Sequence, residues 1–214
     1  MTRWLLAALL VVLAVPASAQ NVPPAGQNAG AELEVTPFGG YRMGGSFTIV
    51  DRGETEVRDS GAWGVSAALE VAEYGEVELL FARQPTHLGT AGLFTGQPLF
   101  ALALETYQLG ANYLFEEEKS KFRPYLGVGF GITRLVPGPK ELESETRFSG
   151  SMVGGLKIWL ARHVGLRFEL RGFFTVLSSS SAIACGSFTG CLIHTHGSAI
   201  YQAEARGGVV FRFF

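Results

Sequence analysis

Over residues 201–213 the chain alternates. Tyr201, Ala203, Ala205, Gly207, Val209, Phe211 and Phe213 share one parity, and Gln202, Glu204, Arg206 and Arg212 share the other. Successive side chains of an extended strand point to opposite faces, so this segment has one apolar face and one charged face. The pattern persists into the aromatic pair Phe213 and Phe214. A strand of this kind fits the wall of a transmembrane barrel, with its apolar face against lipid.

Seven earlier segments alternate in the same way, near residues 31–42, 61–72, 75–84, 103–115, 122–134, 147–160 and 164–177. In the first, Leu33, Val35, Pro37, Gly39 and Tyr41 oppose Glu34, Thr36, Phe38 and Arg42. In the seventh, Leu166, Phe168 and Leu170 oppose Arg167, Glu169 and Arg171. The connections alternate long and short: residues 43–60, the stretch after Gln84, 135–146 and 178–198 are long, whereas 73–74, 116–121 and 161–163 are short turns. The expected fold is therefore all-β, an eight-stranded antiparallel up-and-down transmembrane barrel. An even number of strands lets the last pair with the first and leaves no open edge in a solvent that cannot hydrogen-bond one.

Composition agrees. Hydrophobic residues make up 47% of the chain and the mean hydropathy is +0.23. Yet beyond residue 19 no apolar run reaches the ~18 residues of a helical span. Residues 1–19 read as a signal peptide, with Arg3, an apolar run from Trp4 to Val15 and the small-residue cleavage site Ala17-Ser18-Ala19. Residues 20–30, rich in Pro, Gly and Asn, read as a flexible periplasmic leader, and 31–214 as the barrel domain. Losing Arg3 leaves 16 of the 17 Lys and Arg against 19 Asp and Glu, a net charge of −3, which argues against nucleic acid as a partner.

Parity sends Glu34, Arg42, Glu70, Glu78, Lys157, Arg167, Glu169, Arg171, Glu204, Arg206 and Arg212 into the lumen. An eight-stranded barrel is only wide enough for side chains to fill it. Acids and bases in nearly equal number are therefore expected to pair and plug the interior, because unpaired buried charge is costly. A narrow path for protons or small solutes is the alternative. The inward glycines Gly127, Gly129 and Gly131 leave room for long side chains of neighbouring strands. Outward aromatics form two girdles, Tyr41, Trp63 and Tyr107 toward the loops and Tyr113, Phe115, Phe211 and Phe213 toward the turns.

Cys185 and Cys191 enclose five residues in the last long connection and are expected to form one loop disulfide in an exported chain. His194 and His196 could share a metal, but no Cys or acid stands beside them at ligand spacing. His196-Gly197-Ser198 resembles the H-x-S pair of outer-membrane lipid A deacylases. Glu204 lies about 20 Å along the strand from Ser198, too far to complete a triad, so another loop would have to supply the acid. No catalytic residue and no cofactor site is assigned.

The segments VTPFGGYRMGGSF (35–47), ELLFARQ (78–84), FRPYLGVGFGITR (122–134), FSGSMVGGLKIWL (148–160) and GGVVFRFF (207–214) resemble the bacterial outer-membrane β-barrel domain family of small OmpA-type eight-stranded barrels. The resemblance implies residence in the bacterial outer membrane, with extracellular loops and periplasmic termini. Outer-membrane lipids and lipopolysaccharide are the implied surroundings. Phe211, Phe213 and Phe214 form the candidate C-terminal signal for the barrel assembly machinery. The family leaves the ligand of the extracellular loops open; a lipid-modifying enzyme is a further alternative, and it rests on His196-Gly197-Ser198.

Overall fold

The computed structural model describes residues 32–49, 53–90, 100–115, 120–138, 143–176, 181–186, 190–195 and 199–213; side chains are described except within 46–49, 53–56, 88–90, 181–186 and 190–195 and at 100. Among the described residues twelve strands follow one another: β1 (Leu33–Met43), β2 (Ser46–Ile49), β3 (Gly53–Val57), β4 (Ser60–Ala72), β5 (Gly75–Thr90), β6 (Phe100–Leu114), β7 (Phe122–Pro137), β8 (Glu145–Trp159), β9 (Val164–Val176), β10 (Ser181–Gly186), β11 (Gly190–Thr195) and β12 (Ala199–Phe213).

Eight of them, β1, β4 to β9 and β12, form a closed antiparallel ring, sealed where β1 pairs with β12 from Leu33↔Phe213 to Met43↔Ala203. A circuit of paired residues that leaves β1 at Leu33 passes through Leu69, Val77, Ala111, Val128, Met152, Gly172 and Ala203 and returns to β1 at Met43, ten residues further on. That stagger, with a rise of about 3.3 Å per residue and strands about 4.7 Å apart, tilts the strands by about 40°. The outward row from Phe122 to Ile132 on β7 then covers about 25 Å of barrel height, the thickness of an apolar outer-membrane belt. At its loop end the belt is aromatic: Trp63, Phe81 and Tyr107 form an arc with ring centroids 6.2 and 5.1 Å apart. At its turn end, Tyr74 stacks on Tyr113, which meets Phe115 edge-on, in a second arc.

Two long connections contain strands that local alternation does not announce. The first folds into the β2–β3 hairpin, which joins the barrel wall where β3 pairs with β5 from Thr55↔Thr90 to Val57↔Leu88. The fourth folds into the β10–β11 hairpin, which meets β2 at Thr195↔Ile49. The wall also rises higher than expected on one side, because β5 runs through Pro85 to Thr90, β6 starts at Phe100 and β7 ends at Pro137. Pro85 is tolerated because pairing with β4 stops at Trp63↔Arg83. The His87 carbonyl, two residues on and facing the same side, is taken by the Arg58 amide, so the N–H that Pro85 lacks has no ladder partner to lose.

Candidate functional site

The inward residues of the ring belong to strands on opposite sides of the lumen, and their charges meet across it. At the turn end, Arg212 of β12 lays its guanidinium 3.8 Å over the Trp159 ring and reaches Glu34 at 3.3 Å and Glu32 at 3.0 Å. Lys157 of β8 donates to both Glu34 on β1 and Glu76 on β5, and Asn112 donates to Glu76 at 2.7 Å. Arg123 pairs with Glu70 on the same level.

The middle of the lumen is held by Arg167 and Arg171 of β9. Arg167 pairs with Glu78 and, at 2.6 Å, with Glu169; it also donates to the Tyr125 hydroxyl at 2.7 Å. Tyr125 in turn donates to Glu169. Arg171 reaches across to Glu78 at 2.6 Å and to the Ser151 hydroxyl at 3.3 Å. Arg206 pairs with Glu169 and covers the Phe38 ring at 4.1 Å.

Toward the loop end, Arg42 donates to Glu204 at 2.7 Å and to Thr106 at 3.4 Å, with its guanidinium 4.1 Å over Phe173. Above it Gln202 donates to Gln84 at 3.2 Å. Thus charge of alternating sign runs through the lumen from Arg212 by way of Glu34, Lys157, Glu76, Arg167, Glu169, Arg206 and Glu204 to Arg42. The longest links in this series are Arg167 to Glu76 at 3.9 Å and Arg206 to Glu204 at 3.7 Å. Apart from Glu70 and Arg212 at the turn end, each ionised group named here in the lumen is buried; Glu32, flanking β1, is half-buried. A buried charge is sustainable only because a partner of opposite sign stands beside it.

Glu76 and Arg123 are central to this network yet absent from the sequence-based set. Both have inward parity, Glu76 with Glu78 and Arg123 with Tyr125, but each sits at a strand start beside a polar turn. There a charge reads as part of the turn. Tyr125 packs its ring over Gly155, and the Asn112 amide fills the space over Gly127. Inward glycines on β7 and β8 thus make room for polar groups that link one strand to the next.

The remaining candidates lie elsewhere. Phe211 and Phe213 point outward and are exposed on the lipid-facing surface, and Phe214 lies outside the described residues. Cys185 and Cys191 are register partners across β10 and β11, with side chains outside the described ones. His194 is in β11, and His196 and Ser198 lie outside the described residues. Among the described residues no three His, Cys, Asp or Glu are placed to hold a metal ion.

A family model described as "Outer membrane protein beta-barrel domain" matches residues 5–213. Among solved structures, Neisserial surface protein A (NspA) is similar with a TM-score of 0.57 at 13% identity, over 86% of this chain and 98% of that one. The outer membrane protein OprG of Pseudomonas aeruginosa gives 0.59 at 14%, over 86% and 96%. AlkL, solved in lipid bilayers, gives 0.51 at 12%, over 88% and 92%. At these identities the likeness concerns the fold. No curated protein matches the chain in sequence.

Proposed function

The chain belongs to the outer membrane protein β-barrel domain family, and from that premise we propose that it is a sealed transmembrane cylinder with a structural or surface-interaction role rather than a pore or an enzyme. Its long connections face outside the cell, and its short turns and both termini face the periplasm. The observation that carries this reading is the pairing of Arg171 and Arg167 on β9 with Glu78 on β5, four strands away around an eight-stranded ring. Charge-assisted bonds at that position fill the lumen where a solute would have to pass.

Residues 1–19 act as the cleaved export signal and 20–30 as a leader. Cys185 and Cys191 close a loop disulfide. The closing strand, through Phe211, Phe213 and Phe214, is what the barrel assembly machinery reads. Outer-membrane lipids and lipopolysaccharide surround the belt, and no cofactor takes part. The test is planar-bilayer recording of refolded protein, in which a barrel without steady conductance is the expected result. Reproducible single-channel steps would replace the sealed cylinder with a narrow channel for small solutes.

A further inference from the structure

On the outward faces of the eight barrel strands, full charges occur at three described positions: Arg83 on β5, Glu105 on β6 and Arg134 on β7. The register makes them immediate neighbours, Arg83 opposite Glu105 and Glu105 opposite Arg134. Arg83 Nη1 lies 3.5 Å from Glu105 Oε1, and the Tyr107 hydroxyl donates to Glu105 Oε2 at 3.5 Å. Arg134 donates from Nε and Nη2 to the Ser144 hydroxyl at 3.1 and 2.9 Å.

Depth decides what such a row can meet. It stands one outward step above Phe81, Tyr107 and Ile132, at the upper limit of the aromatic girdle. An outward arginine costs several kcal/mol at the centre of a bilayer and close to nothing at the headgroups, so this row lies among headgroups. The matching rim on β8, β9, β12, β1 and β4 presents Phe148, Phe174, Tyr201, Tyr41 and Trp63 and no outward charge among the described residues. The positive excess is therefore confined to one sector, where two guanidiniums flank one carboxylate. A guanidinium offers two parallel N–H donors that match a phosphate. Glu105 steadies Arg83 and separates the two cations, which sit two strand spacings apart, about 9–10 Å. That spacing suits a headgroup bearing two phosphates on a disaccharide better than a single phosphodiester.

We propose that the Arg83–Glu105–Arg134 row is a docking site for the phosphate groups of lipopolysaccharide in the outer leaflet. This rests on the orientation given under Proposed function, with the long connections outside the cell. Two measurements separate the claims. In the first, protein refolded in detergent is titrated with diphosphoryl lipid A, with enzymatically dephosphorylated lipid A and with phosphatidylglycerol, and heat-dependent gel mobility verifies that each variant is a closed barrel. Diphosphoryl lipid A is expected to bind tightest, Arg83→Gln and Arg134→Gln each to weaken it about fivefold, and the double variant about thirtyfold, as two independent contacts of about 1 kcal/mol each would. Equal binding of all three lipids, or a closed double variant that binds like the parent, would overturn the site. The second measurement labels His87→Cys on intact cells with a membrane-impermeant maleimide, detected by mass at that position. Labelling supports the orientation, so a failed titration then counts against the site alone. Absence of labelling, with labelling after lysis, overturns the orientation and the site together.

Discussion

Arg171 on β9 and Glu78 on β5 meet at 2.6 Å from opposite walls of the barrel, each side chain about 1% exposed. Two strands that never pair are thus tied through the lumen. Removing Arg171 takes one of two guanidiniums from the buried Glu78 carboxylate, which keeps Arg167, so the loss is that of a charge-assisted hydrogen bond, about 1.5–3 kcal/mol. Arg171→Ala is therefore expected to lower the stability of the refolded barrel by that amount in urea unfolding, and to admit ions in planar bilayers. The double variant Arg171→Met with Glu78→Gln should recover part of the loss, because one cation and one anion leave together and Arg167 keeps Glu169. An Arg171→Ala barrel with unchanged unfolding and conductance would refute the role of this pair.

Gly155 and Gly39 make a matched contrast. A methyl group on Gly155 would collide with the Tyr125 ring, whereas one on Gly39 meets nothing within 4 Å. Gly155→Ala should displace Tyr125 from Glu169 and Arg167 and cost about 1–3 kcal/mol by overpacking. Gly39→Ala should be close to neutral. Comparative unfolding in detergent, with Tyr125 followed by its near-ultraviolet circular dichroism, checks both.

Leu170 and Tyr201 are both 70% exposed, but Leu170 is halfway along the outward face of β9 and Tyr201 is at the loop-end rim. If lipid rather than water covers this surface, depth should govern the penalty. Leu170→Arg is expected to cost about 2–4 kcal/mol and Tyr201→Arg about 0–1 in folding into vesicles. Equal penalties would contradict a membrane belt at this height.

Cys185 and Cys191 stand opposite each other in register across β10 and β11. Envelope-extracted protein should show no free thiol, and reduction should cost at most about 2 kcal/mol, since the closed loop is short. Alkylation of both cysteines without prior reduction would refute the disulfide.

Phe211 and Phe213 lie on the lipid side of the strand that closes the ring, and Phe213 is opposite Leu33. Phe213→Ala is expected to reduce the amount of assembled barrel in the outer membrane more than truncation at Phe214 does, because only Phe213 is in phase with the outward row. Heat-modifiable protein in membrane fractions measures this, and the reverse order would assign the signal to Phe214.

Period-two alternation is a local property. It sorts Leu170 from Arg171 and Tyr41 from Arg42 from the residue order alone, and with the long and short connections it specifies eight membrane strands and their two faces. It reads less well at strand ends, where Glu76 and Arg123 adjoin polar turns. It is silent on β2, β3, β10 and β11, whose pairing depends on distant segments rather than on their own pattern. It also ends β5 at Gln84, since Pro85 reads as a break until the lapse of the β4 ladder is known.

The sequence by itself determined that the chain is a barrel, which side chains face inward and which outward, and that the inward charges are of both signs in similar number. Only the tertiary structure decided who pairs with whom: Arg167 with Glu78 and Glu169, Lys157 with Glu34 and Glu76, Arg42 with Glu204. The reason is geometric. Parity gives a side chain its direction, whereas its partner is set by the ten-residue stagger of the closed ring, which brings together residues far apart in the chain.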